Sequence, residues 1–194
     1  MDLAPLVFSS GWASGINAYA TVLMFGLFAR FTDTTTVPDA LGRTDVLIVA
    51  GLMFAIEFVA DKIPYVDSAW DAVSTVVRPV IGAALGAVLA GDATGIDQAL
   101  LTTLGGTTAL ASHGVKSGIR LAVNTSPEPV TNSVVSLGED LSVAGVIALA
   151  IAHPWLALGV TATFLILGLL IVIWLLSRIR RGLASLRRRR RATP

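Results

Sequence analysis

From Pro154 to Ser177 there is not one charged residue, and Trp155 and Trp174 stand near the two ends of the run. A helix of about 20 apolar residues rises close to 30 Å, the thickness of a bilayer's hydrocarbon core. Tryptophan favours the two interfaces of that core. The run reads as a transmembrane helix, so the rest of the chain must suit a membrane as well. Its 194 residues are 54% hydrophobic and 14% charged, against about 25% charged in soluble domains. No polar stretch is long enough for a second, soluble domain. Cysteine is absent, which excludes disulfides and thiolate metal sites. Met1-Asp2-Leu3 lacks the basic residues that open a secretory signal, so the first apolar segment is expected to remain.

Turn residues divide the chain into six apolar segments. They are Leu3 to Phe31, broken by Gly11 and Gly15; Asp45 to Ala60; Ser68 to Ala90, stressed at Pro79; Ile96 to Val123; Val130 to Ala152; and Pro154 to Leu176. The expected fold is all-α, an integral membrane bundle of about six transmembrane helices over residues 1–177, followed by a basic tail, 178–194. Eight of the fourteen basic residues lie in that tail: Arg178, Arg180, Arg181 and Arg187 to Arg191. Basic residues mark the cytoplasmic side. With six spans both termini are cytoplasmic, in the inner (plasma) membrane. Lys62, Arg78, Lys116 and Arg120 then join the tail, and only Arg30 and Arg43 fall outside. Five spans, with the first segment re-entrant, is the competing arrangement.

Between two apolar runs, Ala60 to Pro79 gathers Asp61, Lys62, Asp67, Asp71 and Arg78. Ionisable groups in a membrane protein are costly unless they are paired or face water, and they are functional candidates for that reason. Other polar residues fall at helical spacing and so share helix faces. Ser10, Ser14, Asn17 and Thr21 do so in the first segment, and Glu57 and Asp61 in the second. Asp67, Asp71, Ser74 and Arg78 follow in the third, His113, Lys116 and Arg120 in the fourth, and Asn132, Ser136, Glu139 and Asp140 in the fifth. Five such faces can converge on one polar cavity near the cytoplasmic side. The sixth segment has no such face and is expected to meet lipid. Glu57 lies about one turn deeper than Asp61, which marks it for coupling to a proton or cation. Arg78, beyond the first turn of its helix, needs a carboxylate, and Glu139 or Asp140 is the expected partner. Lys116 or Arg120 would pair with Asp61, Asp67 or Asp71.

Two stretches follow the same course, Asp71 to Ala90 and Ser133 to Ala152. They suggest two helical hairpins related by an axis along the membrane normal, a transporter device. Chance similarity between Ala/Gly/Val-rich helices is the other reading. Gly82 and Gly86 form a Gly-x-x-x-Gly pair suited to close helix packing. Catalysis has little support: there is no Gly-x-Ser-x-Gly, no His-Glu-x-x-His and no P-loop. No enzyme, no cofactor and no resident metal are expected.

Gly15-Ile-Asn-Ala-Tyr19, Glu57 with Ala60 to Asp67, Asp71, Arg78-Pro79, the His113/Lys116/Arg120 set, and Asn132 with Val134 to Asp140 together resemble a bacterial membrane family, DUF4126. The resemblance spans roughly residues 10 to 155. Where an Asn-Pro is expected ahead of Val-Val-Ser, this chain has Asn132-Ser133. The resemblance implies a small multi-pass protein of the cell membrane and brings no activity with it.

The expected function is a small transporter or channel. Its polar site would be built from Asn17, Glu57, Asp61, Asp67, Asp71, Arg78, His113, Lys116, Arg120, Asn132, Glu139 and Asp140. It would take an ion or a small anionic, phosphate-bearing solute. The alternative is a non-transporting scaffold or assembly partner whose charges form structural ion pairs. Expected partners are membrane lipids, with anionic lipid at the arginine tail, and further copies of the chain, but no nucleic acid.

Overall fold

The structure is a computed structural model. It describes the backbone of residues 3–124 and 129–192, with side chains except at 64, 122–124, 129–132 and 182–192. Among the described residues there are seven α-helices and no strand: α1 (Leu3–Ile16), α2 (Ala18–Phe31), α3 (Thr44–Ala60), α4 (Pro64–Leu89), α5 (Ile96–Asn124), α6 (Pro129–Ala152) and α7 (Pro154–Ala192). The all-helical expectation holds. Three helices are long and apolar enough to cross a membrane, over Tyr65–Leu89, Ser133–Ala152 and Pro154–Arg181.

Local sequence explains most boundaries. Pro64 occupies the first turn of α4, where its missing N–H leaves no bond unmade. The helix therefore starts before Asp67 rather than at Ser68, where the apolar segment begins. α4 runs unbroken through Pro79. His153 separates α6 from α7, as expected. α7 does not stop at Leu176 but continues to Ala192, 39 residues in all.

The main departure is in the first segment. A single span from Leu3 to Phe31 is not formed, because the helix breaks at Asn17, whose backbone is extended (φ −149°, ψ 102°). Asn17 caps α2, its Oδ1 accepting the Ala20 N–H at 2.9 Å, the bond that makes asparagine a good N-cap. Gly11 and Gly15 break nothing. A Cβ at Gly15 would meet the Ala109 carbonyl and the Ser112 hydroxyl, so these glycines let α1 lie against α5. Gly82 and Gly86 do the same for α4, against Gly105 and Leu101, as their spacing predicts.

Contacts along the helices give their directions. α4 and α5 are antiparallel, with Arg78 beside His113 and Gly86 beside Leu101. α1 runs parallel to α5, with Gly11 on Gly105 and Gly15 on Ser112. It also runs parallel to α7, with Ser9 on Thr161 and Trp12 on Phe164. α2 then turns back. Tyr19 and Val22 share a hollow with Val46, Val49 and Ile81, and Gly26 packs on Leu47 in the first turn of α3. α1 and α2 are thus two arms of a hairpin with Asn17 at its tip. Both arms end beside the far end of the bundle, where Leu3 and Ala4 sit near Ala93 and Asp97. α1 is the axis of the bundle and is buried along almost its whole length. Among its described side chains α7 exposes most leucines and isoleucines, while Ala157 is buried and Thr161 meets Ser9 of α1.

Candidate functional site

The break at Asn17 leaves the last carbonyls of α1 without helical partners. Two buried cations fill the gap. Arg78 Nη1 donates to the Gly15 carbonyl at 3.2 Å, and Lys116 Nζ donates to the Ile16 carbonyl at 2.9 Å. Positive charge at the C-terminal end of a helix is favourable. The hairpin tip thereby organises two ion clusters, one around each cation.

In the first cluster Arg78, from α4, pairs with Glu57 from the end of α3 through Nη2 and Oε1. Asp71 Oδ1, two turns earlier on α4, lies 3.4 Å from Nη1. The same Nη1 donates to His113 Nδ1 at 2.8 Å. Because a guanidinium only donates, Nδ1 accepts and the imidazole proton sits on Nε2. That nitrogen lies 3.1 Å from Thr75 Oγ1 and 3.3 Å from Ser117 Oγ. Ser117 in turn donates to Asp71 Oδ2 at 3.2 Å.

In the second cluster Lys116 and Arg120, one turn apart on α5, share two carboxylates. Asp61 Oδ2 lies 3.2 Å from Lys116 Nζ and 3.3 Å from Arg120 Nη2. Glu139 Oε2, from α6, lies 3.3 Å from Lys116 Nζ and 2.6 Å from Arg120 Nη2. Asp67 Oδ1 lies 3.5 Å from Arg120 Nη1. Asp140, the next residue on α6, accepts from Asn17 Nδ2 at 2.9 Å.

Eleven of the twelve expected site residues therefore converge. The twelfth, Asn132, lies on α6 with its side chain outside the described residues. The expected bridge from Arg78 to Glu139 or Asp140 is not formed. The hairpin tip and Lys116 stand at that position, and Arg78 reaches Glu57 and Asp71 instead. The pairing of Lys116 and Arg120 with Asp61, and of Arg120 with Asp67, is as expected. Lys62 forms no ion pair among the described residues: its Nζ donates to the Phe58 carbonyl at 2.7 Å and lies over the Phe58 ring. Thr75, Ser112 and Ser117 were missed. Their hydroxyls carry no charge to draw attention, and they matter only through neighbours on other helices.

Six carboxylates (Glu57, Asp61, Asp67, Asp71, Glu139, Asp140) thus face three cations (Arg78, Lys116, Arg120). Among the described residues no group of His, Asp or Glu has an arrangement that could hold a metal ion. A cleft of about 270 Å³ between α4 and α5 reaches the clusters, lined by Ser68, Asp71, Thr75, Ser117 and Arg120 among others. A second hollow of about 410 Å³, walled by α1, α5, α6 and α7, reaches Lys116 and Glu139 from an apolar side.

The family model described as domain of unknown function (DUF4126) matches residues 4–177, and the chain belongs to that family. No curated protein matches, and no solved structure does.

Proposed function

Starting from membership of that family and from the clusters above, we propose that the protein is a small membrane transport protein that handles a cation at its buried acidic site. The observation that carries this reading is the hairpin tip. Non-helical backbone at membrane depth is tolerated only where it is buried in protein or lines a cavity. Broken helices whose ends meet charged groups at that depth are a way to bind ions. Here the tip lies among buried charges in which acids outnumber bases. The three bases are already engaged, so a cation fits the surplus and an anionic solute does not.

In this reading α3 to α7 cross the membrane and the α1–α2 hairpin re-enters it from the far side. The site opens toward the end of the bundle that carries the arginine tail, which is the cytoplasmic end by the distribution of basic residues. The N-terminal arm then starts on the opposite side from the C-terminus. Cysteine placed at Ala4 or Thr94 labels from outside, and cysteine at Lys62 labels only from inside. Labelling of Ala4 from inside only would restore a six-span arrangement.

The direct test is flux. Purified protein in proteoliposomes is given gradients of sodium, potassium or protons, with Glu57→Gln as the site variant. Flux of at least one cation, lost in Glu57→Gln, supports the reading; none above empty vesicles overturns it. A scaffold is the second reading, favoured by the fact that each of the three cations already touches at least two carboxylates. It predicts no flux, and variants that lose stability alone.

A further inference from the structure

We infer that the cation is the proton, and that Asp140 carries it. The inference deepens the transport reading and rests on it for the site's role. Its physical basis is the way the six carboxylates are shared out. Glu57, Asp61, Asp67, Asp71 and Glu139 each lie within ion-pair distance of Arg78, Lys116 or Arg120. Among the described residues Asp140 pairs with no cation. Its Oδ1 has the neutral Asn17 amide, and its Oδ2 is buried with no hydrogen-bond partner. One turn earlier on the same helix face, the Ser136 hydroxyl is fully buried and also has no partner.

The charged groups around Asp140 come from three directions. Asp61 and Lys62 face it from the end of α3 and the loop beyond, Lys116 from α5, and Glu139 precedes it on α6. Neither forms an ion pair with it among the described residues. Lys116 is spent on Asp61, Glu139 and the Ile16 carbonyl. Lys62 Nζ instead donates to the Phe58 carbonyl and lies over the Phe58 ring. Asp140 is half-buried, but its Oδ2 is shut from water. A carboxylate oxygen so placed, with no ion pair among the described residues and two acidic neighbours, favours a proton. A metal ion is the other way to neutralise it, but the described residues offer no ligand group for one.

The proton on Oδ2 leaves Oδ1 as acceptor for Asn17, so the tip stays bonded while the site is loaded. Release of the proton places a bare charge beside Asp61 and Glu139, and the amide of the hairpin tip is its one hydrogen-bond donor among the described residues. Proton exchange at Asp140 therefore acts on the joint between α1 and α2.

The test is infrared spectroscopy of the purified full chain in nanodiscs. A protonated carboxyl has a C=O band distinct from carboxylate bands, and the band shifts in heavy water. At pH 7 the wild type should show such a band. Asp140→Asn should lose the intensity of one carboxyl per chain, Asp140→Glu should keep it at a shifted position, and Asp45→Asn, an exposed control, should change nothing. A wild-type band that survives intact in Asp140→Asn overturns the inference. So does a spectrum without a protonated carboxyl that responds to sodium and not to pH. The measurement needs no transport. Cation flux without an Asp140 band sinks the inference alone, and an Asp140 band without flux sinks the transport reading alone.

Discussion

The two ion clusters use the same chemistry in opposite ways. Around Arg78 one guanidinium, with its side chain only 1% exposed, serves Glu57, Asp71, His113 and the Gly15 carbonyl by itself. Around Asp61 and Glu139 two cations overlap, so each of these acids keeps one partner if it loses the other. The Glu139 side chain is also 16% exposed. A cluster with a single cation is a clamp, since nothing replaces the cation. A cluster with shared cations can rearrange one contact at a time, and it is the one that neighbours Asp140.

The contrast breaks most easily at Arg78. Arg78→Ala leaves Glu57 buried without its partner and should cost about 3–5 kcal/mol, as removing one member of a buried pair does. Arg78→Ala with Glu57→Gln should recover much of that loss. Thermal unfolding in detergent measures both, and purely additive losses would mean that the pair is not a clamp. Lys116→Met should cost less, about 1–3 kcal/mol, because Arg120 still serves Asp61 and Glu139 while the Ile16 carbonyl goes unpaired. A loss equal to that of Arg78→Ala would remove the distinction between the clusters.

Asn17→Ala should cost about 0.5–2 kcal/mol, the range for a lost N-cap, and should speed hydrogen exchange at the Ala20 amide. Unchanged exchange there would show that the tip does not depend on its cap. The smallest effect on stability belongs to the tail. Replacing Arg187 to Arg191 by glutamine should leave unfolding unchanged and weaken binding to anionic vesicles in a salt-sensitive way. Equal binding to neutral vesicles would reduce the tail to a simple anchor.

The sequence makes the membrane-compatible character, most helix ends and the membership of the charged clusters readable. Each of these depends on properties local to one segment: apolarity, proline position, or spacing on a helix face. The partners of Arg78 were misread because periodicity gives the face a residue occupies but not the rotation of that helix against its neighbours. Arg78 lies within reach of α3 rather than α6, and nothing in the stretch from Asp71 to Pro79 encodes that. A re-entrant first segment stood only as the competing arrangement, for a different reason. The residues after Asn17 are as apolar as those before it, so hydropathy cannot tell a helix that continues from one that turns back. The one local sign was Asn17 itself, a capping residue in the middle of an apolar run.

The short arms of the hairpin bear on how the protein is made. α1 and α2 have 14 residues each, fewer than the roughly 20 that hold a helix across a bilayer by themselves. Their polar groups find partners on later helices: Ser14 at the Arg78 carbonyl on α4, Asn17 at Asp140 on α6, and Ser9 at Thr161 on α7. When this segment leaves the ribosome, none of those partners exists. In the proposed arrangement it waits at the membrane surface or in the care of the insertion machinery until the helices that receive it have been laid down. On that proposal biogenesis runs against the order of translation, and a chain cut short before α6 would strand its own N-terminal segment.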